Sequence, residues 1–260
     1  MGIVNVTPDS FSDGGQFITA QAAVDHALRL EDEGAEILDI GGESTRPGAA
    51  EVGVEEELGR VMPVIDKLSG RIDAKLSIDT RKSRVARAAV AAGAAYWNDV
   101  SALSYDGDSI ATAAELNCDV VLMHAQGLPQ TMQERPSYKD VVLEVLAYLA
   151  GRIELCDAAG IYRTRIIADP GIGFGKTLEH NLALLSSLDR FAGLEVPLLL
   201  GASRKRFIAA LDAKAPAEER LGGSIAAMLA GYVRGVSIFR VHDVGAARQA
   251  LRVAAAIESA

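Results

Sequence analysis

Gly34-Ala35-Glu36-Ile37-Leu38-Asp39 closes a helical pattern on a glycine, runs through a short apolar stretch and stops on a carboxylate. The same arrangement returns along the chain. Gly34 to Asp39, Gly93 to Asn98 and Gly235 to Arg240 are each separated by five residues, room for one strand between a helix stop and a polar tip. Gly160 reads as a further stop of this kind.

Eight apolar runs carry the pattern. They are Gly2–Val6 with Asn5, Ala35–Ile40 with Asp39, Leu76–Ile78 before Asp79, Ala94–Trp97 before Asn98, Val120–Met123 before His124, Ile166–Ala168 before Asp169, Val196–Leu200 before Ser203 and Lys205, and Val236–Phe239 before Arg240 and His242. Helical spacing fills the intervals at Ala20–Glu33, Val54–Leu68, Ser83–Ala92, Ser109–Leu116, Tyr138–Ala159, Leu178–Leu188, Leu221–Arg234 and Val244–Ile257, with Pro63 starting or kinking the second. The runs are near-continuously apolar, as parallel strands covered on both faces are. The pattern predicts an α/β fold, a (β/α)8 TIM barrel of parallel strands with its active site at the C-terminal strand ends. An open doubly wound sheet is the competing arrangement of the same alternation.

With 260 residues and 49% hydrophobic content, the chain can fill such a core, and residues 1–260 read as a single domain. The formal net charge of −9 repels nucleic acid and anionic membrane, so neither is an expected partner. Cys118 and Cys156 match no metal or redox spacing and read as reduced core thiols. No stretch reaches the ~18 apolar residues of a membrane span, and no basic leader precedes the first strand, so the chain reads as cytoplasmic.

The polar tips sort by chemistry. Asp39, Asp79 and Asp169 stand with Asn98 and Lys205, and buried carboxylates need donors. Asp169, Asn98 and Lys205 together could read a flat heterocycle with N–H, C=O and amino edges; an internal Asp–Lys ion pair is the alternative. Arg240 and His242 fall on one side of the last strand by its period of two, and would face Asn5 across a closed barrel as an anion or metal–anion site.

Two long polar loops, 7–15 and 41–48, have the character of lids. Asp169-Pro170-Gly171-Ile172-Gly173-Phe174-Gly175-Lys176-Thr177 looks like a phosphate loop, but Pro170 occupies a glycine position of the nucleotide pattern and Lys176 one of the dinucleotide pattern. Its glycines are expected to let the backbone lie close to a flat ligand, with Phe174 as an apolar wall.

Taken in order, the segments 2–15, 39–48, Ser77-Ile78-Asp79-Thr80, Asn98-Asp99-Val100-Ser101, 169–175, Ser203-Arg204-Lys205 and Arg240-Val241-His242-Asp243-Val244 resemble the dihydropteroate synthases of folate biosynthesis. The resemblance implies a transferase that joins 6-hydroxymethyl-7,8-dihydropterin pyrophosphate to p-aminobenzoate with Mg²⁺ assistance, releasing pyrophosphate, and a homodimer. It assigns Asp79, Asn98, Asp169 and Lys205 to the pterin. It assigns Asn5, as metal ligand, with Asp13, Arg46, Arg240 and His242 to the pyrophosphate and its metal, and sets Thr45, Pro47, Phe11, Phe174 and Lys205 around the aminobenzoate. Asp79, Lys205, Asp13, Arg240 and His242 are thereby the catalytic set. Loss of pyrophosphate comes first in this scheme, leaving a pterin cation for the aryl amine. A methyltetrahydrofolate-dependent methyltransferase would share Asp79, Asn98 and Asp169 without needing Asp13, Arg46 or the Arg240–His242 pair; a non-catalytic pterin-binding paralogue is the other alternative. Relative to the family, the chain begins just ahead of the first strand, Ala125 replaces a bulkier residue, and Arg206 stands where some members carry Ser.

Overall fold

The computed structural model describes residues 1–7, 16–44, 50–127, 131–213 and 215–260. The strands are β1 (Gly2–Asn5), β2 (Ile37–Gly41), β3 (Lys75–Asp79), β4 (Tyr96–Asp99), β5 (Asp119–Met123), β6 (Ile166–Asp169), β7 (Leu199–Leu200) and β8 (Ile238–Phe239). Between and after them lie α1 (Gln16–Asp32), α2 (Val54–Leu68), α3 (Ser83–Ala91), α4 (Ser109–Glu115), α5 (Val141–Ala158), α6 (Leu178–Ser186), α7 (Arg206–Leu211), α8 (Leu221–Tyr232) and α9 (Val244–Glu258). Gly34 and Gly93 sit at φ +99° and +112°, the left-handed backbone their reading as helix stops requires. Pro63 lies inside α2 rather than starting it, on an exposed face where water can serve the carbonyl it frees.

β1 to β6 pair in sequence order, all parallel, and β7 pairs parallel with β8. Parallel bridges from Ala168 to Leu198 and from Gly2 to Val241 join the two sheets, the second backed by the Ile3 N–H donating to the Val241 carbonyl at 3.1 Å. The ring therefore closes into the expected (β/α)8 barrel and not an open sheet. The short α7 was not foreseen: six residues directly after Lys205 are too few for a helical period to register.

Outward strand residues such as Val4, Leu38, Ile40, Ile78, Trp97 and Leu122 are all fully buried, in the apolar layer shared with the helices. The inward set differs from the near-continuous apolar reading. Val121, Ile167 and Leu199 form a small separate cluster, but the same inward positions of β2, β3 and β4 carry Asp39, Ser77, Asp79 and Asn98. The barrel's polar interior was thus mixed into runs whose outward residues dominate. Among the described residues, no helix is long and apolar enough to cross a membrane, and both cysteines are buried free thiols.

Candidate active site

Strand register builds the site. Asn5, Gly41, Asp79 and Asn98 are successive partners across β1 to β4, so they share one level near the C-terminal strand ends. Asp39 lies two residues below, paired with Ser77. Its carboxylate is fully buried and accepts from Ser77 Oγ at 2.5 Å, Asn98 Nδ2 at 3.0 Å and Arg240 Nε at 2.6 Å. Arg240 Nη2 also donates to Asp79 Oδ2 at 2.8 Å. Burial raises the Asp79 carboxyl above the usual range, with Arg240 opposing it and Asp39 adding to it. Burial works against the Arg240 charge, but Asp39 and Asp79 outweigh it and hold the guanidinium above its ordinary value.

Two expectations are thereby sharpened. Arg240 pairs inside the barrel with Asp39 and Asp79, and the Lys205 charge acts on Asp169. Arg240 turns into the carboxylates, whereas His242 accepts or donates through Nδ1 at 3.0 Å from Ser203 Oγ, which also receives the His242 backbone N–H at 3.2 Å. The two residues thus hydrogen-bond to different partners, while the Arg240 charge still reaches the imidazole. Burial, with Arg204 and Arg240 nearby, lowers the His242 imidazole to about 3. Asp39, expected with the other buried carboxylates to need donors, finds them in Ser77, Asn98 and Arg240 and orients the last two. Because Asn98 Nδ2 is engaged there, its carbonyl oxygen is the atom left to accept from a ligand.

Asp169 closes the far side. Its Oδ1 accepts the Gly171 N–H at 2.7 Å, and burial raises its carboxyl. A Cβ at Gly201 would stand 3.9 Å from both Asp169 Oδ2 and the Arg240 Cβ, so this glycine, which sequence reading passed over, leaves the floor between them open. Lys205 Nζ lies 4.0 Å from the centre of the Phe174 ring, a cation–π contact. Phe174 is half-buried and, with Arg81, Val100, Ala125 and Tyr148, lines a cavity of about 260 Å³. Ala125 thus does border this wall, while Arg206 is exposed.

Two glycines of the 169–177 segment are needed for packing within the protein. A Cβ at Gly171 would meet the His124 carbonyl oxygen at 1.9 Å, and one at Gly175 the Gln126 carbonyl oxygen at 2.2 Å. These two permit close approach to the loop after β5, while Gly173 lies against Lys205, whose Cδ a Cβ there would meet at 3.2 Å. Lys176, read only as a failed motif position, fastens the two loops: its buried Nζ donates to the carbonyls of His124 (3.2 Å), Gly171 (2.9 Å) and Phe174 (2.9 Å) and lies 3.0 Å from His124 Nδ1. Burial lowers this ammonium to about 7, and burial together with Lys176 lowers His124 to about 3.

Phe11, Asp13, Thr45, Arg46 and Pro47 lie outside the described residues. The anchor of the second long loop is visible nonetheless. Glu43 accepts the Val52 N–H at 3.1 Å and is itself held by Arg81 at 3.0 Å and Lys82 at 2.8 Å, and Lys82 reaches on to Glu57 at 2.6 Å.

Residues 1–242 match the family model described as pterin binding enzyme. The dihydropteroate synthase of Escherichia coli (strain K12) is 48% identical over 260 residues, which is 100% of this chain and 92% of that protein. The solved Xanthomonas albilineans dihydropteroate synthase with 4-aminobenzoic acid is 51% identical with a TM-score of 0.94, covering 100% of this chain and 92% of its own. The structure of that organism's enzyme in complex with 7,8-dihydropteroate gives 48% identity and a TM-score of 0.91 over 100% and 93% of the two chains. The closed barrel, the polar tips and these likenesses agree: the chain belongs to the dihydropteroate synthase family of pterin binding enzymes.

Proposed function

We propose that this chain condenses 6-hydroxymethyl-7,8-dihydropterin pyrophosphate with p-aminobenzoate, giving 7,8-dihydropteroate and pyrophosphate, with the residue roles given below. The observation that carries the reading is the Asp39–Asn98–Arg240–Asp79 set at the mouth of the barrel, in a chain of this family. Asp79, the Asn98 carbonyl and Asp169 present acceptors to the donor edge of the pterin. The two carboxylates, with the amide dipole of Asn98, also stabilise the cationic ring formed as the methylene–oxygen bond breaks. Preorganised groups of this kind contribute about 3–4 kcal/mol each when removed singly. Arg240 and Lys205 supply positive charge for the leaving group and the ring edge, and His242, neutral near pH 7, offers a hydrogen bond rather than a charge. Phe174 and Lys205 serve the p-aminobenzoate, a role the family likeness also gives to Phe11, Thr45 and Pro47, as it gives the pyrophosphate to Asp13 and Arg46. The aryl amine attacks as a neutral nucleophile and then loses its proton, so no strong general base is needed.

Among the described residues, no three His, Cys, Asp or Glu side chains gather as a resident metal centre. Asn5 offers one half-buried neutral oxygen level with Asp79 and Asn98. This donor set fits a Mg²⁺ that travels with the diphosphate and keeps much of its water, and Asn5 would hold it. When bound, the ion neutralises charge developing on the departing oxygens. The exposed Leu211, Leu221 and Val233 on and beside α7 and α8 support a homodimer.

Purified protein supplied with the pterin pyrophosphate, p-aminobenzoate and Mg²⁺ should form dihydropteroate, and chelating Mg²⁺ should weaken binding of the pyrophosphate substrate far more than that of a bare pterin. Pterin affinity without turnover would leave only the paralogue reading.

A further inference from the structure

The turn after β4 is built on backbone that residues with side chains rarely adopt. Ala102 and Leu103 lie in succession at φ +53° and +60°, and both are buried. A Cβ disfavours this left-handed conformation, and a consecutive pair persists only where the surroundings over-determine it. Two elements do so from opposite sides. Asp99, the last residue of β4, takes the donors: the Ser101 N–H at 2.7 Å, the Ser101 hydroxyl at 2.6 Å and the Leu103 N–H at 2.9 Å. One face of α5 takes the acceptors: Arg152 donates from Nε to the Ala102 carbonyl at 2.7 Å and from Nη2 to the Leu103 carbonyl at 2.9 Å, and Tyr148 donates to the Ser101 carbonyl at 3.3 Å.

This turn begins beside the heterocycle set. Asn98, adjacent to Asp99, is the register partner of Asp79 and donates to Asp39, and Val100 and Ser101 line the cavity that Phe174 borders. The β-ladder ends at Asp99, so beyond it the side-chain clamp, with the turn's own backbone bonds and the burial of Ala102 and Leu103, fixes the chain's direction. We propose that Asp99 and Arg152 are positioning residues for the pterin, holding the Ala102–Leu103 turn in its left-handed form and thereby fixing Asn98 against the ring. This rests on the assignment of Asn98 to the pterin made above.

The test measures the dissociation constant for the bare pterin and the KM for p-aminobenzoate in the parent, Asp99→Asn and Arg152→Met, each with and without Ala102→Gly. Asp99→Asn leaves one acceptor oxygen for three donors, and should weaken pterin binding by about 10-fold while moving the p-aminobenzoate KM by clearly less, about 3-fold or under. Adding Ala102→Gly should recover about 3-fold or more of the lost affinity, because glycine adopts the left-handed form without the Cβ penalty. Arg152→Met, a change on the half-buried outer helix, should give the same split and the same recovery, and serves if Asp99→Asn does not fold. A lowered Tm with an unchanged pterin dissociation constant in the folded variants would overturn the proposal, as would no recovery with Ala102→Gly in either background. A parent enzyme that failed to bind pterin at all would instead remove the functional assignment, and this inference with it.

Discussion

Arg240 and Asp79 are 161 residues apart in the chain, yet Arg240 Nη2 lies 2.8 Å from Asp79 Oδ2. The contact joins β8 to β3 across the interior of the closed barrel. Arg240 also serves the fully buried Asp39 at 2.6 Å, so one cation compensates two carboxylates. Arg240→Met should cost about 3–5 kcal/mol of stability at neutral pH, the usual consequence of leaving buried charge unpaired. Urea unfolding measures it, and a loss under about 1 kcal/mol would mean that the arginine is not what compensates the pair.

Asp169→Ala removes the acceptor that faces Gly201 and the anchor of the Gly171 N–H. The expected loss is at least about 2–3 kcal/mol in kcat/KM for the pterin substrate, because a buried ring edge is left without a partner. Near-normal kcat/KM would sink the assignment of Asp169 to the pterin.

The imidazole of His242 is lowered from an ordinary 6.5 to about 3 by burial, Arg204 and Arg240. The unfolded chain therefore takes up a proton between those values that the folded protein refuses. Stability from this group is full above about pH 6.5 and declines as pH falls, by up to ~1.4 kcal/mol per unit. The raised carboxyls of Asp79, Asp99 and Asp169 act in the opposite direction, so the informative quantity is a difference. Between pH 6.5 and pH 5, His242→Gln should lose less stability than the parent; parallel urea midpoints for the two would contradict the buried neutral imidazole.

Gly171 and Gly151 make a matched pair. Gly171 lies at φ +68° with the His124 carbonyl oxygen in the way of any side chain, whereas a Cβ at Gly151, inside α5, meets nothing within 4 Å. Gly171→Ala should destabilise by about 3 kcal/mol or more through strain and overlap. Gly151→Ala should stabilise by about 0.5–1 kcal/mol through helix propensity. Thermal unfolding distinguishes the two, and equal small effects would mean that the loops after β5 and β6 are not packed as described.

The strands and most helices were legible because each signal is local: an apolar run, a glycine stop and a polar tip within a few residues. α2 falls on its expected bounds, Val54–Leu68. β7 and β8 shrink to two residues each beside longer apolar runs, since ladder bonds depend on where the neighbouring strand leaves off and not on hydropathy. Ser203, flagged only as the residue beyond a run, gains its meaning from His242, 39 positions away.

The sequence by itself determined the barrel, the identity of the strand-tip residues and the family, since periodicity and ordered motifs are properties of the chain. Tertiary structure alone decided how those tips divide their hydrogen bonds. Arg240 could have stood with His242 on one side of a strand; strand register instead brings Asp39 and Asp79 within its reach, and two buried carboxylates attract a guanidinium more strongly than a neutral imidazole does. Gly171 and Gly175 likewise report the loop packed against them from the neighbouring strand, β5. Register and burial set those partners, and neither is written in any one stretch of residues.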